Sequence, residues 1–187
     1  YGKQKSRGNF IMFLNSGDTF FNKNSLTIFF NNSLSIDSSK GLIFGQAKII
    51  ANKKITWIFP SKRLKNIKLW LRFFEPNHQS MLISSKLAKK FDFPLQYNIV
   101  ADGYWKRKIL NNASDIFYIK YPLVNFFLDG GSASKPSKKL FKELILNKNI
   151  SFRRKIVFFI KYNFPRKIFF LFYLIKKFKS NLVDLLF

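Results

Sequence analysis

The chain has 187 residues, with 34 Lys and Arg against 9 Asp and Glu, a net charge of +25, one histidine and no cysteine. That length suits one domain with a real core; the absent thiols exclude disulfides, thiolate zinc sites and a cysteine nucleophile, and a single imidazole excludes any site that needs two or three of them from one chain. Lysine outnumbers arginine 27 to 7 and is scattered among abundant Phe, Ile and Asn, the mix an AT-rich coding sequence produces, so much of the charge reads as a solvated surface and not as a nucleic-acid interface, where the arginine fork is favoured.

In chain order, YGKQKSRG reads as the end of a helix that breaks at Gly8. There is no starting methionine and no signal-peptide pattern. NFIMFL (9–14) is a short apolar run of the kind found in strands buried on both faces. It runs into the polar turn Asn15-Ser16-Gly17-Asp18. NSLTIFFNNSLS (24–35) predicts a helix capped by Asn24 or Ser25. GLIFGQAKII (41–50) and KKITWIFP (53–60) predict a hairpin around Asn52. SKRLKNIKLWLRFF (61–74) predicts a basic amphipathic helix with Leu64, Ile67, Leu71 and Phe74 on its apolar face, ended by Pro76.

HQSMLISS (78–85) predicts a strand that enters a short helix, SSKLAKKF. Residues 91–112 predict a loop and then a helix starting near Asp102. DIFYIKYPLVNFFL (115–128) is strand material interrupted at Pro122. DGGSASKPSKK (129–139) reads as a loop before a helix to about residue 147. No internal repeat is visible. The alternation of strands and helices points to an α/β or α+β domain over residues 1–149, followed by a compositionally distinct segment over 150–187.

An apolar strand ending in a polar turn puts that turn at the carboxyl edge of a sheet, where open α/β folds bind ligands. Asp18 then sits at the mouth, with Gly17 supplying backbone freedom. One carboxylate there can hold Mg²⁺ or Mn²⁺ if substrate phosphates and water fill the other positions. An ordinary turn after a strand explains the same four residues.

FIMFLNSGD, PNHQSMLI, NIVADGYWKRKIL and FFLDGGSAS occur in that order. Together they resemble the family 2 glycosyltransferases with the GT-A fold, above all bacterial members that build cell-surface polysaccharide. The resemblance covers roughly residues 1 to 135. It implies a partial GT-A mixed sheet flanked by helices. It also implies transfer of a sugar from a nucleotide-sugar donor to a saccharide or lipid-linked acceptor, with inversion and with a divalent metal, Mg²⁺ or Mn²⁺, as cofactor.

Residue by residue, the resemblance implies that Asp18 is the charged metal ligand, with Asn15 and Gly17 standing where carboxylates are common. Asp102 matches the general base. A sugar hydroxyl needs a positioned carboxylate to take its proton, although the same aspartate serves equally well as a helix N-cap. His78 and Gln79 match a His-Gln pair at the strand under the acceptor site; a half-buried histidine pinning its loop is an equal reading. Arg107, five residues after Asp102, is a substrate-binding candidate or a surface arginine. DGGSAS (129–134), with Gly130, Gly131 and Ser132, stands where the family has a Gly-Gly-x-Ser segment, and its backbone N–H groups can face phosphate; alone, such a loop is usually a linker.

The resemblance further implies nucleotide-binding βα units upstream of Tyr1. Without them the chain is expected to bind a sugar nucleotide weakly and to be inactive by itself, whether as a fragment, a truncated gene or half of a split enzyme. The segment 150–187 carries nine Lys and Arg against one Asp around the apolar runs IVFFI and IFFLFYLI. Neither run reaches the roughly 20 residues that span a bilayer. Basic clusters beside such runs suit helices lying on an anionic membrane, which places the protein in the cytoplasm, peripheral on the inner face of the plasma membrane. Packing of these helices on the domain or on another subunit is the other reading. A catalytically inactive remnant or a non-catalytic membrane-surface protein is the alternative to the transferase.

Overall fold

The computed structural model describes residues 2–33, 41–51, 55–61, 63–97 and 101–128, with helical residues singly or in pairs from 138 to 178. The elements are helix α1 (Gly2–Lys5), strands β1 (Phe10–Ile11) and β2 (Thr19–Phe20), helix α2 (Ser25–Ser33), and strands β3 (Gly41–Ala51) and β4 (Ile55–Phe59). Then come helix α3 (Ile67–Phe73), a 3₁₀ turn (His78–Ser80), strand β5 (Met81–Ser84), helices α4 (Ser85–Lys90) and α5 (Ala101–Asn112), and strand β6 (Asp115–Phe127).

The strands form one mixed sheet in the order β1-β5-β3-β6-β2, with β4 beside the second half of β3. β3 and β6 run parallel and every other pair is antiparallel. Side chains alternate between the faces of a strand, and here both faces are apolar. Leu42 and Phe44 of β3, with Met81 and Ile83 of β5, face a core completed by Trp70 of α3, Leu87 of α4, and Trp105 and Ile109 of α5. Ile43 and Leu82 face the opposite way, onto Phe29 of α2 with Leu123 and Val124. The domain is therefore α/β, a mixed sheet flanked by helices on both faces. The hairpin expected around Asn52 is present as β3–β4, closing on the pair Ala51–Ile55.

Three expectations change. The strand expected over 9–14 pairs only at Phe10 and Ile11, and Leu14 is exposed. The chain leaves β1 early because it must cross the end of the sheet to reach β2 on the far side of the strand order. Pro122 does not interrupt β6. Gly45 pairs with Ile119 and Gln46 with Pro122, so a bulge absorbs Lys120 and Tyr121 and the strand continues.

The helix expected over 61–74 forms only from Ile67 to Phe73. Asn66 starts it by accepting the Leu69 N–H at 2.9 Å. Its anchor is Trp70, fully buried and stacked on Phe44 with ring centroids 5.7 Å apart, a position the four-residue apolar face did not include. Gly130, Gly131, Ser132 and most of 150–187 lie outside the described residues. Among the described residues no helix is long and apolar enough to cross a membrane.

Candidate functional site

The polar turn after β1 is built by local rules. Gly17 has φ +91°, a conformation that side chains rarely adopt. The Asp18 N–H closes the turn on the Asn15 carbonyl at 3.1 Å. Two long-range bonds then fix the turn across the sheet end. Asp18 Oδ1 accepts the Phe127 N–H at 2.7 Å from the end of β6. Gln79 Oε1 accepts the Asn15 N–H at 2.9 Å.

Gln79 is fully buried, and its Nε2 has no hydrogen-bond partner among the described residues. Asn77 sets the adjoining 3₁₀ turn by accepting the Gln79 N–H at 2.9 Å. β1 and β5 are antiparallel, so the turn after β1 and His78 before β5 meet at one edge.

His78 is the centre of the arrangement. Its Nδ1 lies 3.5 Å from Asp102 Oδ2, and its Nε2 lies 3.4 Å from Asn15 Nδ2. An amide NH₂ can only donate, so in the neutral ring Nε2 accepts and the proton sits on Nδ1, facing the carboxylate. Burial pushes the His78 pKa below its ordinary 6.5; the charges of Asp102 and Asp18 pull it up and Lys106 pushes it down, without reversing the result. The imidazole is thus neutral at pH 7.

Asp102 is the second residue of α5 and not its N-cap, so it lies in the first turn, where the helix dipole favours a carboxylate. Its Oδ1 accepts the Gly103 N–H at 2.7 Å. Its side chain is 45% exposed. A carboxylate held on one side and open on the other can accept a proton from a bound hydroxyl.

Arg107 does not join this group. Its Nε donates to Glu75 Oε1 at 2.6 Å, and Lys106 Nζ lies 3.0 Å from Glu75 Oε2. Burial raises the Glu75 pKa, but Lys106 and Arg107 outweigh it and hold the carboxyl below its ordinary 4.5. Sequence reasoning passed over Glu75. The signal was its isolation as the one acidic residue between Asp37 and Asp92.

For a divalent cation, Asp18 offers one carboxylate whose Oδ2 has no protein partner among the described residues, with Asn15 close by in the same turn. Among the described residues no three His, Cys, Asp or Glu side chains group as a ligand set. The donors present therefore fit an ion that takes most of its positions from a diphosphate and water. No family model matches the chain, and neither does any curated protein or any solved structure.

Proposed function

We propose that this chain carries the metal, base and acceptor side of a family 2 glycosyltransferase with the GT-A fold, acting in cell-surface polysaccharide synthesis. The observation that carries the reading is the meeting of Asn15, His78 and Asp102. These residues lie far apart in the sequence, share no helix or strand, and belong by resemblance to one site. A surface turn, a loop histidine and a helix-start aspartate have no structural need to converge.

In this reading Asp102 removes the proton from an acceptor hydroxyl, which attacks the anomeric carbon of a nucleotide-sugar donor with inversion. His78 is a positioning residue. Its Nδ1 lies 3.5 Å from Asp102 Oδ2 and its Nε2 lies 3.4 Å from Asn15 Nδ2, so it fixes one flank of a carboxylate that is 45% exposed. Gln79 positions Asn15 through its backbone. Asp18, with Asn15 beside it, would hold Mg²⁺ or Mn²⁺, which would neutralise charge on the departing diphosphate. The acceptor is a saccharide, free or lipid-linked.

The test is transfer from radiolabelled nucleotide sugars with Mg²⁺ or Mn²⁺ present, using the chain joined to whatever open frame precedes Tyr1. Product formation that Asp102→Asn abolishes supports the reading. Transfer unaffected by Asp102→Asn, or no transfer from any donor, refutes it.

A further inference from the structure

Beside the Asp102 group, the end of α3 with the segment after it and the middle of α5 form an open cleft of about 500 Å³, lined by Phe59, Arg72, Phe73, Glu75, Lys106 and Arg107 among others. We propose that this cleft binds the phosphate monoester of a ligand. As the acceptor subsite of a transferase it rests on the reading above; as a phosphate site it rests on the cleft alone.

The charges decide the chemistry. Three cations line the cleft against one carboxylate. Glu75 is spent on Lys106 and Arg107, and Lys106 also donates to the Pro76 carbonyl at 3.1 Å. Arg107 uses only its Nε on Glu75. Its terminal NH₂ groups, and the whole guanidinium of Arg72, have no ion pair among the described residues. Glu75 thus fixes the orientation of Arg107 while leaving its outer edge open.

Two guanidiniums over one neutralised carboxylate leave two net positive charges, which match a dianionic phosphate and present the planar forks that bind it bidentately. The volume is in the range of small-ligand sites, so it also admits part of what the phosphate is attached to. Phe59 and Phe73 offer that part an apolar wall. Lys106 follows Asp102 by one turn of α5 on the same face, about 6 Å along the axis. A phosphate in the cleft therefore lies one helical turn from the aspartate. Two ligands share this chemistry, a phosphorylated lipid head group and a soluble sugar phosphate.

The reporter is built in. Trp70 packs on Phe74 and Phe59 with ring centroids 5.7 and 5.6 Å away, and both of those rings line the cleft. Tryptophan fluorescence is followed during titration with dihexanoyl phosphatidic acid and, separately, with glucose 1-phosphate. We expect saturable binding of at least one probe, weakened roughly tenfold by Arg72→Gln, the loss of one charge-assisted contact. Arg107→Gln should weaken it likewise. Lys86→Gln, which removes the same charge from the exposed face of α4, should change it less than twofold.

Binding of the phosphatidic acid alone assigns the cleft to a lipid phosphate, and equal binding of both probes assigns it to phosphate in general. No saturable binding, or binding that Arg72→Gln leaves unchanged or that Lys86→Gln weakens as much, overturns the proposal. Arg72 is exposed and makes no ion pair among the described residues, so its variant folds even if loss of the Arg107–Glu75 pair does not permit it. Asp102→Asn should bind like the unmodified protein. Loss of transfer without loss of binding, or the reverse, therefore separates the two claims.

Discussion

His78 holds its Nδ1 3.5 Å from Asp102 Oδ2 and its Nε2 3.4 Å from Asn15 Nδ2, so the chain's one imidazole bridges a turn and a helix start. Burial lowers its pKa below 6.5, and the sign of the pH dependence follows. Between the folded value and 6.5 the unfolded chain binds more protons than the folded one, so stability rises with pH in that window. The contribution of His78 is complete above the unfolded value. It is lost as pH falls toward the lower, folded value. With one histidine, the imidazole C–H resonance titrates without overlap; its midpoint should lie below 6.5, and a midpoint above it contradicts the burial argument. His78→Gln should flatten the same limb of a urea-stability series.

Asp102→Asn should leave the fold intact, because the amide oxygen can still accept the Gly103 N–H. If the aspartate is the base, transfer should drop by about 10²–10⁴. His78→Gln should lower transfer less, because the carboxylate remains and only its orientation is lost. Steady-state rates of the two variants, with circular dichroism as the fold control, decide it. Equal rates in unmodified protein and Asp102→Asn remove the base assignment.

Apolar patterning made the architecture legible in the sequence. The hairpin at Asn52, the strand before α4 and the helix near Asp102 all show as runs bounded by polar breaks, and all are present. The short β1 was not legible, since an apolar run does not reveal where its partner strand ends. The continuity of β6 was hidden because a proline reads as a break unless the bulge opposite Gly45 is known. Trp70 was missed because its burial depends on Phe44 and Phe59, which are remote in sequence. In the site, motif order placed Asn15, His78, Gln79 and Asp102 together. It did not show that Arg107 pairs with Glu75, which lies on another segment and belongs to no motif.

Glu75→Gln should destabilise the protein at pH 7 by about 1–3 kcal/mol, the range for hydrogen bonds to charged groups. Lys106, with its side chain only 13% exposed, then loses its counter-ion. The Glu75 pKa is held below 4.5, so its stabilisation is present above that value and disappears as pH falls through the folded value. The difference between unmodified and variant protein should therefore shrink in acid. Urea unfolding at pH 7 and below pH 4 measures both, and a difference that is constant with pH excludes the ionised pair as its source.

Gly45 tests the packing that lets β6 pass its bulge beside β3. A Cβ on Gly45 would lie 2.0 Å from Phe29 Cζ and 2.8 Å from the Tyr121 carbonyl oxygen, so something must shift. Phe29 is fully buried and the carbonyl belongs to the bulge, so neither yields freely. Gly45→Ala should cost about 1–3 kcal/mol, as overpacking of a filled core does. Phe29→Leu removes Cζ and leaves a cavity, which is costly by itself. In the double variant the new methyl group occupies part of that space, so the combined loss should fall short of the sum by about 0.5 kcal/mol or more. Urea midpoints of the four proteins give the coupling. Simple additivity would assign the cost of Gly45→Ala to the bulge carbonyl instead of the Phe29 ring.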